Sequence, residues 1–381
     1  MFVLWRARTR AGVCFAAALI AVLVGSSCGS SSKSGTISTF AGTGAQGSSG
    51  DSADATKAEL NYPRKIAISS SNEMYIADTG NDLVRKITEQ SNSTYNIYRI
   101  AGSLISDSVA GNAGYSGDGG PSTAAQLDHP QGIALDSSGN VYIADTNNNV
   151  VRRIDHSSGI ITTIAGTGTS GYSGDGQVAM SATLNHPMGI SFNSNGDLFV
   201  ADYGNHVVRK IAASTAVITT VAGTGTQGFA GDGAAATSGM LAYPADIALD
   251  ASGELYIADS GNHRVRKVAT DGTISTVAGN GTAGFTGDGG NATAAELSSP
   301  QGLALSSTGD LYIADYAVNV VRKVSNGTIT TFAGDGTSGY YGDGGKATDA
   351  ELFVPSGIAL DSSGNVYIAD AGNNVIRKVT Q

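Results

Sequence analysis

The chain has 381 residues, of which 53 are Gly, with 14% charged and 41% hydrophobic residues and a formal net charge of −10 at pH 7. Glycine at about twice its usual share of roughly 7%, with so few charges and no three-residue Gly period, excludes a disordered polyelectrolyte, a helical bundle and a collagen. The negative balance repels phosphate backbones, so no nucleic acid is expected as a partner.

Residues 1–28 differ in character from the rest of the chain. Arg6, Arg8 and Arg10 precede an apolar run from Val13 to Val24, and small residues come next. This is the layout of a signal peptide, and about twelve apolar residues are too few for a permanent bilayer span. The segment Gly25-Ser26-Ser27-Cys28, with the polar stretch 29–35 after it, resembles a bacterial lipoprotein signal with its flexible tether. That resemblance implies lipidation of Cys28 and a chain attached to a membrane through a lipid anchor alone. Cys14 and Cys28 are the only cysteines, so the rest of the chain can form no disulfide and hold no thiol nucleophile.

From residue 36 to 381 the chain is a set of repeats. Tyr75-Ile76-Ala77-Asp78 returns as Tyr142 to Asp145, Phe199 to Asp202, Tyr256 to Asp259, Tyr312 to Asp315 and Tyr367 to Asp370. Pro63, Pro130, Pro187, Pro244, Pro300 and Pro355 hold one place in the unit, just before an apolar run. Each unit reads as four short strands, a to d, exemplified by 189–192, 197–201, 207–211 and 218–221, rich in β-branched and aromatic residues and divided by Ser/Asn/Gly or Asp/Gly turns. Four antiparallel strands per unit, repeated about an axis, predict an all-β fold, a six-bladed β-propeller. The unit after Pro355 lacks a strand d, and Ile37-Ser38-Thr39-Phe40-Ala41-Gly42 is a lone strand of that type. Their pairing would complete the sixth blade, close the ring and leave no exposed edge.

The pattern Ala-Asp-x-Gly-Asn-x-x-Val-Arg-Lys, with Asn205-His206-Val207 and Asn262-His263-Arg264 inside it, resembles the NHL repeat, over about residues 36 to 381. The longer run from Gly287 to Ala304 is similar to the NHL propellers of teneurins. The resemblance implies a propeller and assigns no reaction.

Candidate residues emerge from the repeat. The strand-b aspartates are expected to neutralise Arg85, Arg152, Arg209, Arg266, Arg322 and Arg377, whose places along strand c put them on an apolar face. The long loops from strand d to the next strand a carry Gly-Asp-Gly, and Asp118, Asp175, Asp232, Asp288 and Asp343 there could cup Ca²⁺, a hard cation that takes carboxylate and backbone oxygens. A turn that caps its own backbone accounts for the same residues. Loop aromatics Tyr115, Tyr172, Phe229, Phe285 and Tyr340 and turn residues His206 and His263 belong to one loop-rich face, where recognition of a protein or glycan is expected, and the aromatics could equally roof the joint between blades. In strand a, Gly132, Gly189, Gly302 and Gly357 share a position at which the first unit has Lys65 and the fourth Asp246. Opposite blades would bring these two charges face to face at the channel mouth, where they could orient a small polar ligand.

No metalloprotease, nucleophile-elbow or phosphate-loop motif is present. The sequence therefore reads as a monomeric, non-catalytic scaffold of the cell envelope, secreted or lipid-anchored. The alternative is a propeller hydrolase or lyase of lactonase type, acting on a small polar substrate in the axial channel.

Overall fold

The computed structural model describes residues 35–91, 94–105 and 111–381. The signal, Cys28 and most of the tether expected from the sequence lie outside these residues. Blade three is typical, with strand a at Pro187–Phe192, b at Leu198–Asp202, c at Val207–Ile211 and d at Ile218–Ala222, paired antiparallel in that order. Five blades share this plan, and blade one adds a short edge strand, Ala53–Asp54, beside Tyr95–Ala101.

Blade six is completed as the sequence predicts. Thr36–Ala41 pairs antiparallel with Val375–Thr380, in a register that sets Thr36 against Thr380 and Ile37 against Val379. The protein is thus a six-bladed β-propeller whose ring is closed by hydrogen bonds between the two ends of the repeat region.

The core is divided among the joints. One cluster joins Ala258, Val265 and Ala278 of blade four to Leu303, Leu311, Ile313 and Ile329 of blade five, sealed by Leu297 from the connecting loop. Leu297 arrives on a 3-10 turn, Ala292–Ala294, and is fully buried, which removes about 2–3 kcal/mol worth of side chain from water. Toward the axis, neighbouring strands a come so close that a Cβ on Gly132, Gly302 or Gly357 would run into the backbone carbonyl of Met188, Ser356 or Arg64. Small residues at these places are what allow the inner strands to converge.

Candidate functional site

The loop-rich face is organised around six fully buried arginines, one per blade. Arg152 is representative, for its Nη2 lies 2.6 Å from Asp118 Oδ1 and its Nη1 3.4 Å from Asp145 Oδ2. Asp145 also accepts the Asp128 N–H on Oδ1 and the Asn148 amide on Oδ2. A buried guanidinium is thereby held between two carboxylates and carries no uncompensated charge. Burial pushes the strand-b carboxyls up, to about 6 at Asp202 and about 7 at Asp145 and Asp315, while the donors around them pull the other way.

The loop aspartates offered to Ca²⁺ by the sequence are engaged in this arrangement. Asp175, Asp232, Asp288 and Asp343 lie 2.6–2.7 Å from Arg209, Arg266, Arg322 and Arg377. Their other oxygens accept the backbone N–H of Thr220, Thr331 and Thr39, or the Thr276 hydroxyl. A cation there would compete with a guanidinium already in place. Asp51 makes the same contact with Arg85 at 2.8 Å, and sequence reading passed over it because Ser52 interrupts the Gly-Asp-Gly pattern.

Tyr115, Tyr172, Phe229 and Tyr340 lie over these guanidinium groups, with Arg carbons 4.8–5.3 Å from the ring centroids. The hydroxyls of Tyr115, Tyr172 and Tyr340 pair with Thr163, Thr220 and Thr39. With Phe285, these rings remain 42–46% exposed. Tyr115, Tyr172, Phe229 and Tyr340 thus roof the arginines while staying partly exposed.

His206 and His263 hold a structural position. Each comes directly after a 3-10 turn and lies in the left-handed region, with φ of 56° and 53°. The Nδ1 atoms accept the backbone N–H of Tyr243 and Ser299 in the next blade, at 3.1 and 3.2 Å. Asp82, Asn149, Asn319 and Asn374 do the same for His129, His186, Val354 and Tyr62. Every joint of the ring therefore carries one such staple. Burial lowers the pKa of both histidines.

At the axis, Lys65 and Asp246 do face each other, and they meet in a direct ion pair whose side chains are 12% and 3% exposed. Asp246 Oδ2 also accepts the Leu303 N–H. The space left among Arg64, Lys65, Gln131, Met188, Gly189, Asp246 and their neighbours is only about 20 Å³, the scale of one water molecule. Arg64, which lines this space, donates to Gln301 and lies over the rings of Tyr62 and Tyr316, whose hydroxyls meet at 2.5 Å. Sequence reading missed these contacts, because Tyr62, Arg64 and Tyr316 occupy positions that vary from blade to blade.

The teneurin NHL domain profile matches residues 82–171 and 335–381, and the NHL repeat profile matches 184–211 and 241–268. The chain belongs to the NHL-repeat family of β-propellers. This NHL propeller is 30% identical over 284 residues to human Teneurin-1, covering 67% of the chain and 10% of the teneurin. It is 28% identical over 336 residues to Protein SUPPRESSOR OF QUENCHING 1, chloroplastic, of Arabidopsis thaliana, covering 84% of the chain and 30% of that protein. The chain thus spans a third or less of these relatives' lengths. An auxiliary nutrient binding protein from Bacteroides thetaiotaomicron shares the fold at a TM-score of 0.64 and 18% identity, over 91% of this chain and 76% of that one. Among the described residues, no helix is long and apolar enough to cross a membrane.

Proposed function

We propose that this NHL propeller is a non-catalytic, extracytoplasmic binding module that recognises a protein or glycan through its loop-rich face. The observation that carries this reading is where accessible side chains are found. The space beside the Lys65–Asp246 pair is only about 20 Å³, whereas the loop face presents Tyr115, Tyr172, Phe229, Phe285 and Tyr340 at one-blade intervals, each 42–46% exposed. Rings packed on a buried arginine, as Tyr115, Tyr172, Phe229 and Tyr340 are, are rigid, a property of binding anchors. A hydrolase or lyase would need metal ligands or a His and acid pair in the channel, whereas the polar residues lining the axial space here are Arg64, Gln131, Gln301, Ser356 and an aspartate tied to Lys65.

The extracytoplasmic placement rests on the signal layout of residues 1–28. The test is capture from envelope extracts and binding to a glycan array, comparing the parent with a Tyr172→Ser/Phe229→Ser/Phe285→Ser variant. Loss of the captured partner with an unchanged melting temperature supports the reading, and undiminished capture overturns the role of this face.

A further inference from the structure

One joint of the ring carries charges that its neighbours do without. Between blades one and two, on the loop-rich face, Asp82, Asp128 and His129 each bring one ligand atom to within 4.8 Å of the other two. His129 Nδ1 is 2.9 Å from Asp128 Oδ1 and 3.5 Å from Asp82 Oδ1. The Asp82 side chain is nine-tenths buried, and that of Asp128 is 28% exposed.

The repeat supplies an internal comparison. At the next joint Asn149 accepts the His186 N–H at 2.9 Å, as Asp82 accepts the His129 N–H at 2.8 Å. Asn185 Oδ1 lies 2.8 Å from His186 Nδ1, as Asp128 Oδ1 lies beside His129 Nδ1. The same frame is thus built there from two amides, so its hydrogen bonds do not require carboxylates. Elsewhere in the ring the counterparts of Asp82 are Asn149, His206, His263, Asn319 and Asn374, and those of Asp128 are Asn61, Asn185, Ala242, Ser298 and Phe353. Among the described residues no Lys or Arg forms an ion pair with Asp82 or Asp128. Two carboxylates packed together, one of them buried, repel, and a cation between them relieves that repulsion.

We propose that Asp82, Asp128 and His129 form a binding site for a divalent transition-metal ion of the zinc type. One imidazole nitrogen and two carboxylate oxygens are the donors such an ion takes, with water completing its shell, whereas Ca²⁺ requires six to eight oxygens. Asn147 Nδ2 donates to Asp128 Oδ1 at 2.8 Å and orients that carboxylate. The site is distinct from the Gly-Asp loops, whose carboxylates hold arginines.

The test is calorimetric titration of the purified protein with ZnCl₂ and, separately, CaCl₂. One Zn²⁺ per chain is expected, with Ca²⁺ weaker. The Asp82→Asn/Asp128→Asn variant copies the neighbouring joint, so it should keep the parent's circular dichroism while losing at least about tenfold in Zn²⁺ affinity. The Asn149→Asp/Asn185→Asp variant should gain a second site beside His186 and bind two ions. Absence of saturable Zn²⁺ binding by the parent, undiminished binding by the first variant, or a stoichiometry of one in a folded second variant would each overturn the proposal.

Discussion

Thr39 donates its backbone N–H to Asp343 Oδ2 at 2.9 Å, across 304 residues of sequence. Thr163, Thr220 and Thr331 make the same bond to Asp118, Asp175 and Asp288 inside their own blades. The closing strand is therefore bound by side-chain contacts as well as by its ladder. Ile37, fully buried against blade six, corresponds to Ile329 of blade five, which is equally buried. We expect Ile37→Ala and Ile329→Ala each to cost about 2–5 kcal/mol in denaturant unfolding. A negligible cost for Ile37→Ala alone would show that closure is dispensable.

Blade five breaks the polar pattern. Val318 stands where Asn81, Asn148, Asn205, Asn262 and Asn373 donate to the strand-b aspartate, and Asp315 Oδ2 is left buried without a hydrogen-bond partner. Val318→Asn should supply the missing donor and raise stability by about 1 kcal/mol. Its mirror, Asn262→Val, should lower stability by a comparable amount, and a melting temperature unmoved in both variants would remove the amide from the account.

The two histidine staples make stability respond to pH. Burial holds the His206 and His263 pKa below the ordinary 6.5, and the Nδ1 lone pairs are occupied by the N–H groups of Tyr243 and Ser299. The unfolded chain therefore takes up protons first as pH falls. This contribution is fully present above about 6.5 and is lost as pH drops through the lowered folded-state values. The strand-b carboxyls, raised on folding, act in the opposite direction, so the comparison must be with a His206→Asn/His263→Asn variant that copies the other joints. Between pH 7.5 and 5 the parent should lose stability relative to that variant; parallel curves would contradict the assignment.

Removing one partner of the axial pair should strand the other. Lys65→Met leaves a buried Asp246 carboxylate with the Leu303 N–H as its remaining donor and is expected to cost about 3–5 kcal/mol. The Lys65→Gly/Asp246→Gly variant, which copies the other four blades, should cost less than the two single changes added together. Strict additivity would show that the two side chains do not interact in solution.

Much of the fold is legible in the sequence because a repeated unit states its rule six times. The blade count, the closing strand and the pairing of Arg152 with Asp145 all come from period and strand parity. The site is less legible. Strands a of opposite blades carry Lys65 and Asp246 to the same point of the axis, but only the convergence permitted by Gly132, Gly302 and Gly357 turns facing charges into a contact. The loop aspartates suggest a metal because sequence spacing does not show that Asp118 lies against Arg152, under the ring of Tyr115. His206 suggests recognition because the left-handed turn aiming its Nδ1 at the next blade is a matter of φ, and the same place accepts Asp, Asn or His.

The staples also bear on how the molecule opens. In a linear repeat array the terminal units fray first, since each has a single neighbour. Here Asn374 accepts the Tyr62 N–H at 2.9 Å, the same bond that links every other pair of blades, so no blade is terminal. Lifting any one blade breaks two joints at once. Amide hydrogen exchange at Tyr62, His129, His186, Tyr243, Ser299 and Val354 should accordingly be slow to a similar degree around the whole ring, with no gradient from the first blade to the last.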